Sequence, residues 1–327
     1  MIFEVPYLEK HRPRYLDDIL AQDGIISSTK NMMRNINEFP HVQCSGPPGI
    51  GKSTYVEALA REIYKEFGEN AWEDIVCEIN ASEERKMETV RNKILTYCRT
   101  ALTRHNVARK MVILEEFDSF VGLAQNALRR PMELYAGNVI FVITCNYPRK
   151  IIPAIRSRCV QFSFRKPQPK HIAEYLTRVA TKESIVVEKS ALDLIANNSY
   201  GDFRPALLAM QSSVQEVAGK RVVLADRVLE VHNFLTQESI EQVMELALEK
   251  QIKEASELTE SYLASGASPE LILSSLYNVL RKKELFLDEE KGPLLLREFV
   301  EVAKYVENTA IPEAIFDSLY VGIGQLG

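Results

Sequence analysis

Two periodicities divide the chain. In the first half, short apolar stretches recur at Phe39 to Cys44, Met111 to Leu114 and Asn138 to Thr144, and Asp74 to Asn80 alternates apolar with polar. Stretches of this length bounded by polar residues predict strands, and the near-continuous ones predict strands covered on both faces. Between them the period lengthens to that of a helix. Thr54 to Phe67 puts Val56, Leu59, Ala60, Ile63, Tyr64 and Phe67 on one face. A second helix begins at Ala81 to Arg85, with Ser82 as N-cap, and runs to about Leu102 on a stripe of Val90, Ile94, Tyr97 and Cys98. Gln125 to Leu134 predicts a third, and Val160 to Phe164 a last short strand. Ahead of the first strand, Asp17 to Gln22 leads into a helix through about Asn35. Strands alternating with helices predict an α/β fold with a parallel sheet and its site at the strand C-termini.

Arg165-Lys166-Pro167-Gln168-Pro169 reads as a linker. Beyond it the pattern is helical only, to about Gly219 and again from Val222 to the end. Gly201 to Ala206 starts a helix, and Ser268-Pro269-Glu270 and Gly292-Pro293 are helix starts or breakers.

Composition narrows the class. The 327 residues are 46% hydrophobic and 26% charged, ordinary values for a soluble globular protein. No apolar run reaches membrane-spanning length, and the first residues carry no signal-peptide pattern. Five cysteines without a Cys-x-x-Cys pair suggest reduced core thiols in an intracellular protein. Five histidines make no metal-ligand spacing. The net charge of −5 speaks against a nonspecific basic coat. Locally, Arg85 to Lys110 holds eight Lys/Arg against one Glu. That run is either a solvated helix face with a basic loop, or a contact for a polyanion.

The first predicted strand feeds Gly46-Pro47-Pro48-Gly49-Ile50-Gly51-Lys52-Ser53, the P-loop pattern, and a helix leaves it from Thr54. Glycines let the backbone wrap a polyphosphate, and the helix N-terminus adds its positive dipole end. Pro48, Gly49, Ile50, Gly51, Lys52, Ser53 and Thr54 are therefore the nucleotide-binding candidates. Lys52 would meet the β- and γ-phosphates of ATP and Ser53 the Mg²⁺. Met111 to Leu114 ends in Glu115-Glu116, the Walker B form. There the first acid, Glu115, would hold Mg²⁺ through water, and the second, Glu116, would orient or deprotonate the attacking water. Asn146, at the end of the next strand, would hold that water or contact the γ-phosphate; the plain alternative is a turn-forming Asn. The Pro-bounded N-terminal segment is either an ordinary arm or a flap against the nucleotide base.

In this order the motifs resemble an AAA+ ATPase, and specifically a small subunit of the sliding-clamp loader, replication factor C. Leu8-Glu9-Lys10-His11-Arg12-Pro13 is similar to the family's N-terminal box, and Asn80-Ala81-Ser82-Glu83-Glu84-Arg85 to its Asn-Ala-Ser-Asp-Glu-Arg box. Ala124 to Arg130 resembles the helix between the DNA channel and the ATP site. Asn146 falls at sensor one, Ser157-Arg158-Cys159 matches the Ser-Arg-Cys signature, and Gly201-Asp202-Phe203-Arg204 falls at sensor two.

The resemblance implies an AAA+ domain over residues 1–165, a helical lid over 166–225 and a helical oligomerisation collar over 226–327. It implies a heteropentamer with a large subunit and other small subunits, a ring-shaped sliding clamp and primer–template DNA as partners, and ATP with Mg²⁺ as cofactors. Arg12 would sit at the nucleotide. Arg158 would act in trans as an arginine finger on the neighbour's γ-phosphate, and Arg204 in cis. Arg85, Lys86 and Arg91 would contact DNA phosphates. Ile94 and Tyr97 match positions that can face the clamp, with core packing as the other use.

The chain departs from the family at Glu115, where Asp is usual, at Lys86, where Gly is usual, and at Met87, where a β-branched residue is usual. Three readings follow: an active clamp-loader ATPase; an ATP-binding structural subunit with little hydrolysis that lends Arg158 to its neighbour; and a P-loop kinase, against which the sensor and Ser-Arg-Cys motifs speak.

Overall fold

A computed structural model describes residues 5–68, 71–82, 87–100, 107–120, 122–232, 234–264, 266–283, 288, 290–306, 309 and 311–326. The chain forms two compact units. One comprises Met1–Lys182 with Ser199–Leu208, the other Glu183–Asn198 with Ala209–Gly327.

The first unit is built on five strands: β1 (His41–Ser45), β2 (Val76–Asn80), β3 (Lys110–Glu115), β4 (Val139–Cys145) and β5 (Cys159–Ser163). They lie in the order β2-β3-β4-β1-β5, and every pair is parallel. Successive side chains point to opposite faces. Met111, Ile113, Ile140 and Val142 therefore enter one core, while Val112, Leu114, Phe141 and Ile143 enter the other. Burial on both faces explains why these strands are apolar throughout rather than alternating. All C-terminal ends reach one edge, which collects Ser45, Asn80, Glu115 and Cys145.

The helices of this unit are α1 (Tyr7–Lys10), α2 (Asp23–Met33), α3 (Lys52–Ile63), α4 (Trp72–Ile75), α5 (Met87–Arg99), α6 (Gly122–Leu134), α7 (Pro153–Arg156) and α8 (Pro169–Lys182). Helix α3 buries Tyr55, Val56, Leu59 and Ala60. It stops at Ile63, earlier than its periodicity predicts. Tyr64 leaves helical geometry, and its hydroxyl donates to the Arg109 carbonyl at 2.8 Å. Phe67 instead belongs to a separate tight turn. The residues between Ser82 and Met87, and with them the predicted helix start at Ser82, lie outside the described residues; Ser82 itself closes a turn. Its N–H and hydroxyl both donate to the Asn80 side chain in a turn, at 3.0 and 2.8 Å. Ile94 and Cys98 are buried and Tyr97 half-buried, as the stripe predicts; the Val90 side chain lies outside what is described.

The basic run is only partly a surface. Arg109 and Lys110 are buried. Arg109 donates to the carbonyls of Ile36, Asn37, Phe39, Ala136 and Val139. Lys110 donates to those of Tyr97 and Thr100.

The second unit departs from the all-helical expectation. It holds α9 (Lys189–Asn198) and a small sheet of β6 (Val186–Val187), β7 (Gln215–Val217) and β8 (Lys220–Val223). Helix α10 (Phe203–Ser212) precedes β7. These strands have only two to four residues, too short for alternation to register, and Ala218-Gly219 turns β7 into β8 with positive φ at both positions. Helices α11 (Ala225–His232), α12 (Gln237–Leu248), α13 (Ile252–Ala264), α14 (Pro269–Lys282), α15 (Lys291–Tyr305) and α16 (Pro312–Leu326) complete it. The last five share one core through Val243, Ala255, Leu276, Phe299 and Phe316. Ser268 caps α14 by accepting the Leu271 N–H, with Pro269 in the first turn. Among the described residues no helix is long and apolar enough to cross a membrane.

Candidate functional site

The strand edge of the first unit opens into a cavity of about 290 Å³. The P-loop supplies Pro48, Gly49, Ile50, Gly51, Lys52, Ser53 and Thr54 to its wall. The loop can take this path because its glycines occupy positive φ, at 149° for Gly46, 73° for Gly49 and 94° for Gly51. Gly49 admits no side chain for a second reason. A Cβ there would lie 1.7 Å from a carboxylate oxygen of Asp202. Asp202 in turn accepts the Arg204 N–H at 2.8 Å, and the Phe203 N–H donates to the Gly49 carbonyl at 3.4 Å. The start of α10 is thus laid directly on the P-loop, and Arg204 enters the cavity wall.

Lys52 is 8% exposed. Its Nζ donates to the carbonyls of Gly46 and Pro47 at 2.7 and 2.6 Å, and to Asn146 Oδ1 at 2.8 Å. Burial pushes the ammonium below its ordinary pKa. Arg204 pushes the same way, and Cys145 and Asp118 oppose. An ammonium held by neutral acceptors beside a second cation is a site with unspent affinity for an anion.

Two residues that the motif reading passed over hold this arrangement. Asp118 accepts the Asn146 N–H at 3.2 Å and the Tyr147 N–H at 3.0 Å, so a carboxylate fixes the loop carrying Asn146. Thr144 Oγ1 accepts the Glu116 N–H at 3.2 Å, where Glu116 stands in the left-handed region at φ 49°. Asp118 was visible in the sequence as a third acid after the Walker B pair. Thr144 carried no signal beyond its place at the strand end.

Glu116, Asn146 and Arg12 all line the cavity. Glu115 is not among the described lining residues. It sits instead where its charge raises the pKa of Glu57 and Glu78, both already raised chiefly by burial. Arg12 is anchored to Glu57 at 2.8 Å. The apolar part of the wall comes from Leu8, Ile19, Leu20, Phe203 and Leu207. Of these, Leu8 and Phe203 fall in the N-terminal box and the sensor-two motif, whereas Ile19, Leu20 and Leu207 belong to no motif. The Ser53 hydroxyl, an oxygen donor of the kind that suits Mg²⁺, shares one wall with Lys52 and Glu116.

Arg158 lies elsewhere. It pairs with the Glu133 carboxylate of α6 and donates to the Ala154 carbonyl. That bond holds Glu133 below the usual carboxylate range. Gln125, fully buried on the same helix, donates to the Phe120 and Lys150 carbonyls at 2.9 and 3.0 Å and accepts the Ile152 N–H at 2.8 Å. Arg91 is exposed on α5, while Arg85 and Lys86 lie outside the described residues.

Known proteins match this chain along most of its length. A family model described as "ATPase family associated with various cellular activities (AAA)" matches residues 42–167, and one for the "RCF1/5-like, AAA+ ATPase lid domain" matches 174–214. The replication factor C small subunit of Archaeoglobus fulgidus is 38% identical over 84% of this chain and 83% of its own. That of Sulfurisphaera tokodaii is 33% identical over 99% of this chain and 96% of its own. The chain belongs to the replication factor C small-subunit family. Its fold is that of an AAA+ ATPase with a lid and C-terminal helices. RuvB, the Holliday junction branch migration motor of Thermotoga maritima, has the same fold, with a TM-score of 0.56 at 18% identity, covering 81% of this chain and 85% of that one. Membership in this replication factor C family makes the chain an ATPase of the AAA+ class, a family that binds nucleotide.

Proposed function

We propose that the chain is a small subunit of a sliding-clamp loader. It binds ATP with Mg²⁺ and works in a heteropentamer with a large subunit and other small subunits. The assembly opens a ring-shaped polymerase clamp and loads it onto primer–template DNA. What supports this most is the match to replication factor C small subunits over 84% of the chain or more in the relatives named, with the P-loop, Asn146 and Arg204 converging on one cavity. In this reading residues 1–165 form the ATPase domain, 166–225 the lid and 226–327 an oligomerisation collar.

The mechanism follows from the residues. The P-loop N–H groups and the start of α3 bind the phosphates, and Lys52 exchanges its carbonyl acceptors for phosphate oxygens. Arg204 meets the same phosphates from the start of α10, so ATP draws that segment and the P-loop together. Asn146, set by Asp118, holds the attacking water, and Glu116 takes its proton. Ser53, with Glu115 acting through water, would hold Mg²⁺, which would neutralise charge on the phosphates. Arg158 leaves Glu133 and reaches the γ-phosphate of the neighbouring subunit, stabilising charge that develops in the transition state. Arg85, Lys86 and Arg91 contact DNA phosphates, which gives tracking without base reading.

A second reading has its own observation. Glu115 replaces Asp and lies beside Glu57 and Glu78 rather than in the described cavity wall, which favours a subunit that binds ATP and hydrolyses little. Steady-state hydrolysis with the large subunit, clamp and primed DNA separates the two. Turnover stimulated by DNA and clamp, and unchanged by Glu115→Asp, supports the active subunit. Negligible turnover restored by Glu115→Asp supports the structural one. No response to DNA or clamp in either version removes the clamp-loader assignment.

A further inference from the structure

The stretch between α1 and α2 gives Arg12, Pro13, Asp18, Ile19 and Leu20 to the cavity wall. Its one described element of regular structure is a tight turn at Leu16–Asp18. What holds the stretch in place lies elsewhere in the chain, and both ends are tied to residues 165–175. At the front, the Tyr175 hydroxyl of α8 donates to the His11 carbonyl at 2.8 Å. At the rear, the Gln22 side chain grips the Arg165 peptide with both ends of its amide. Nε2 donates to the Arg165 carbonyl at 2.8 Å, and Oε1 accepts the Arg165 N–H at 3.5 Å.

Gln22 stands where a local task was open to it. It is the residue before α2, the position at which a side chain commonly caps the helix. Its side chain makes no capping bond, although its backbone carbonyl accepts the Ile25 and Ile26 N–H groups at 2.9 and 3.0 Å. The amide is spent on a peptide 143 residues away instead. Gln22 is buried, and a buried amide is costly unless its ends are paired; the Arg165 peptide pairs both. Ala21, beside it, stands in the left-handed region at φ 66°. A residue with a Cβ is strained there and stays only when its surroundings determine it. Leu16 and Ile19 are sunk in the core between the two ties. Ile19 and Leu20 thus reach the cavity from a turn that Gln22 closes.

We infer that Gln22 is a positioning residue for nucleotide. Its hold on Arg165 keeps Ile19 and Leu20 against the base of a nucleotide whose phosphates lie on the P-loop. The inference rests on the nucleotide reading of the cavity proposed above. An apolar wall with Ile19, Leu20, Phe203 and Leu207 suits a flat ring, and the P-loop suits a polyphosphate. Both Gln22 side-chain bonds go to Arg165 and neither to the P-loop. Loosening Gln22 therefore frees the base side and leaves the phosphate side as it was.

The test compares the full chain with two variants. Gln22→Met fills the same space without hydrogen bonds, and Gln22→Glu sets a carboxylate against the Arg165 carbonyl. Affinity for a nonhydrolysable ATP analogue with Mg²⁺ is measured by titration calorimetry. Hydrogen exchange is then followed over residues 16–22 and 49–54, with each protein saturated by the analogue. Gln22→Met should lose about tenfold in affinity, and Gln22→Glu at least as much. At saturation the amides of 16–22 should exchange about tenfold faster than in wild type, while those of 49–54 keep their protection. Tyr175→Phe, which frees the other end but keeps the ring, should show the same split with about a threefold loss. If neither Gln22 variant folds, Tyr175→Phe decides by that split. The inference is overturned, and the nucleotide reading stands, if wild type binds the analogue and Gln22→Met binds it as tightly. It is overturned too if 16–22 and 49–54 lose protection together, which would make Gln22 a support of the whole unit. If wild type does not bind the analogue, the nucleotide reading falls and the inference falls with it.

Discussion

Lys52 and Arg158 are proposed to serve the same kind of phosphate from opposite sides of a subunit interface, yet the chain holds them differently. Lys52 is buried and donates to two carbonyls and an amide oxygen, all neutral. Arg158 is restrained by a carboxylate of its own chain, Glu133, at a partly exposed position. A cation on neutral acceptors gains strength when an anion arrives, with no ion pair to break first. A cation already paired must give up that pair before it serves another site. On the proposed roles, the contrast would separate a binding group kept ready from a transition-state group held in reserve, and would let assembly control the second without disturbing the first.

The sharpest way to break the contrast is Arg158→Ala. In the assembled complex, turnover at the neighbouring site should fall by about 10³ or more while ATP-analogue affinity of the chain itself stays within about twofold. Equal loss in both measurements would place Arg158 in its own subunit's site. Lys52→Ala should come next, with a loss of about 10² or more in turnover and weakened analogue binding in the isolated chain as well as the complex. Binding unchanged in the isolated chain would contradict the ready state of Lys52. The smallest effect is expected from Glu133→Gln. Releasing Arg158 should raise turnover in the assembly a few-fold at subsaturating DNA, in keeping with the modest strength of exposed ion pairs. A fall in turnover would mean that Glu133 guides the finger rather than restraining it.

The same contrast explains what could be read in advance. Backbone wrapping of a phosphate requires glycines at fixed spacing, so the P-loop announces itself, as do the paired acids at the end of β3. Partners that act through a single hydrogen bond leave no such pattern. Thr144, which fixes Glu116, and Glu133, which restrains Arg158, look like any strand-end threonine or surface glutamate. The parallel sheet was legible because strands covered on both faces must be continuously apolar. The β6-β8-β7 sheet was not, since two to four residues cannot establish a period. The charge run misled in a specific way, because counting Arg109 and Lys110 as surface ignored how readily buried carbonyls accept from a guanidinium or an ammonium.

Arg109 also bears on how the domain comes apart. Its guanidinium joins the carbonyls of Phe39, just before β1, and of Ala136 and Val139 at the entry to β4, the end of the sheet opposite the nucleotide. Its own carbonyl receives Tyr64. Four stretches of chain far apart in sequence are thereby tied at one knot, while bound nucleotide can tie only the other end. Such a domain has two independent seams, and local opening at one is not reported by the other. Hydrogen exchange at the Val139 and Ile140 amides should therefore quicken in Arg109→Lys even at saturating nucleotide, because a lysine point charge cannot bridge carbonyls that a planar fork spans.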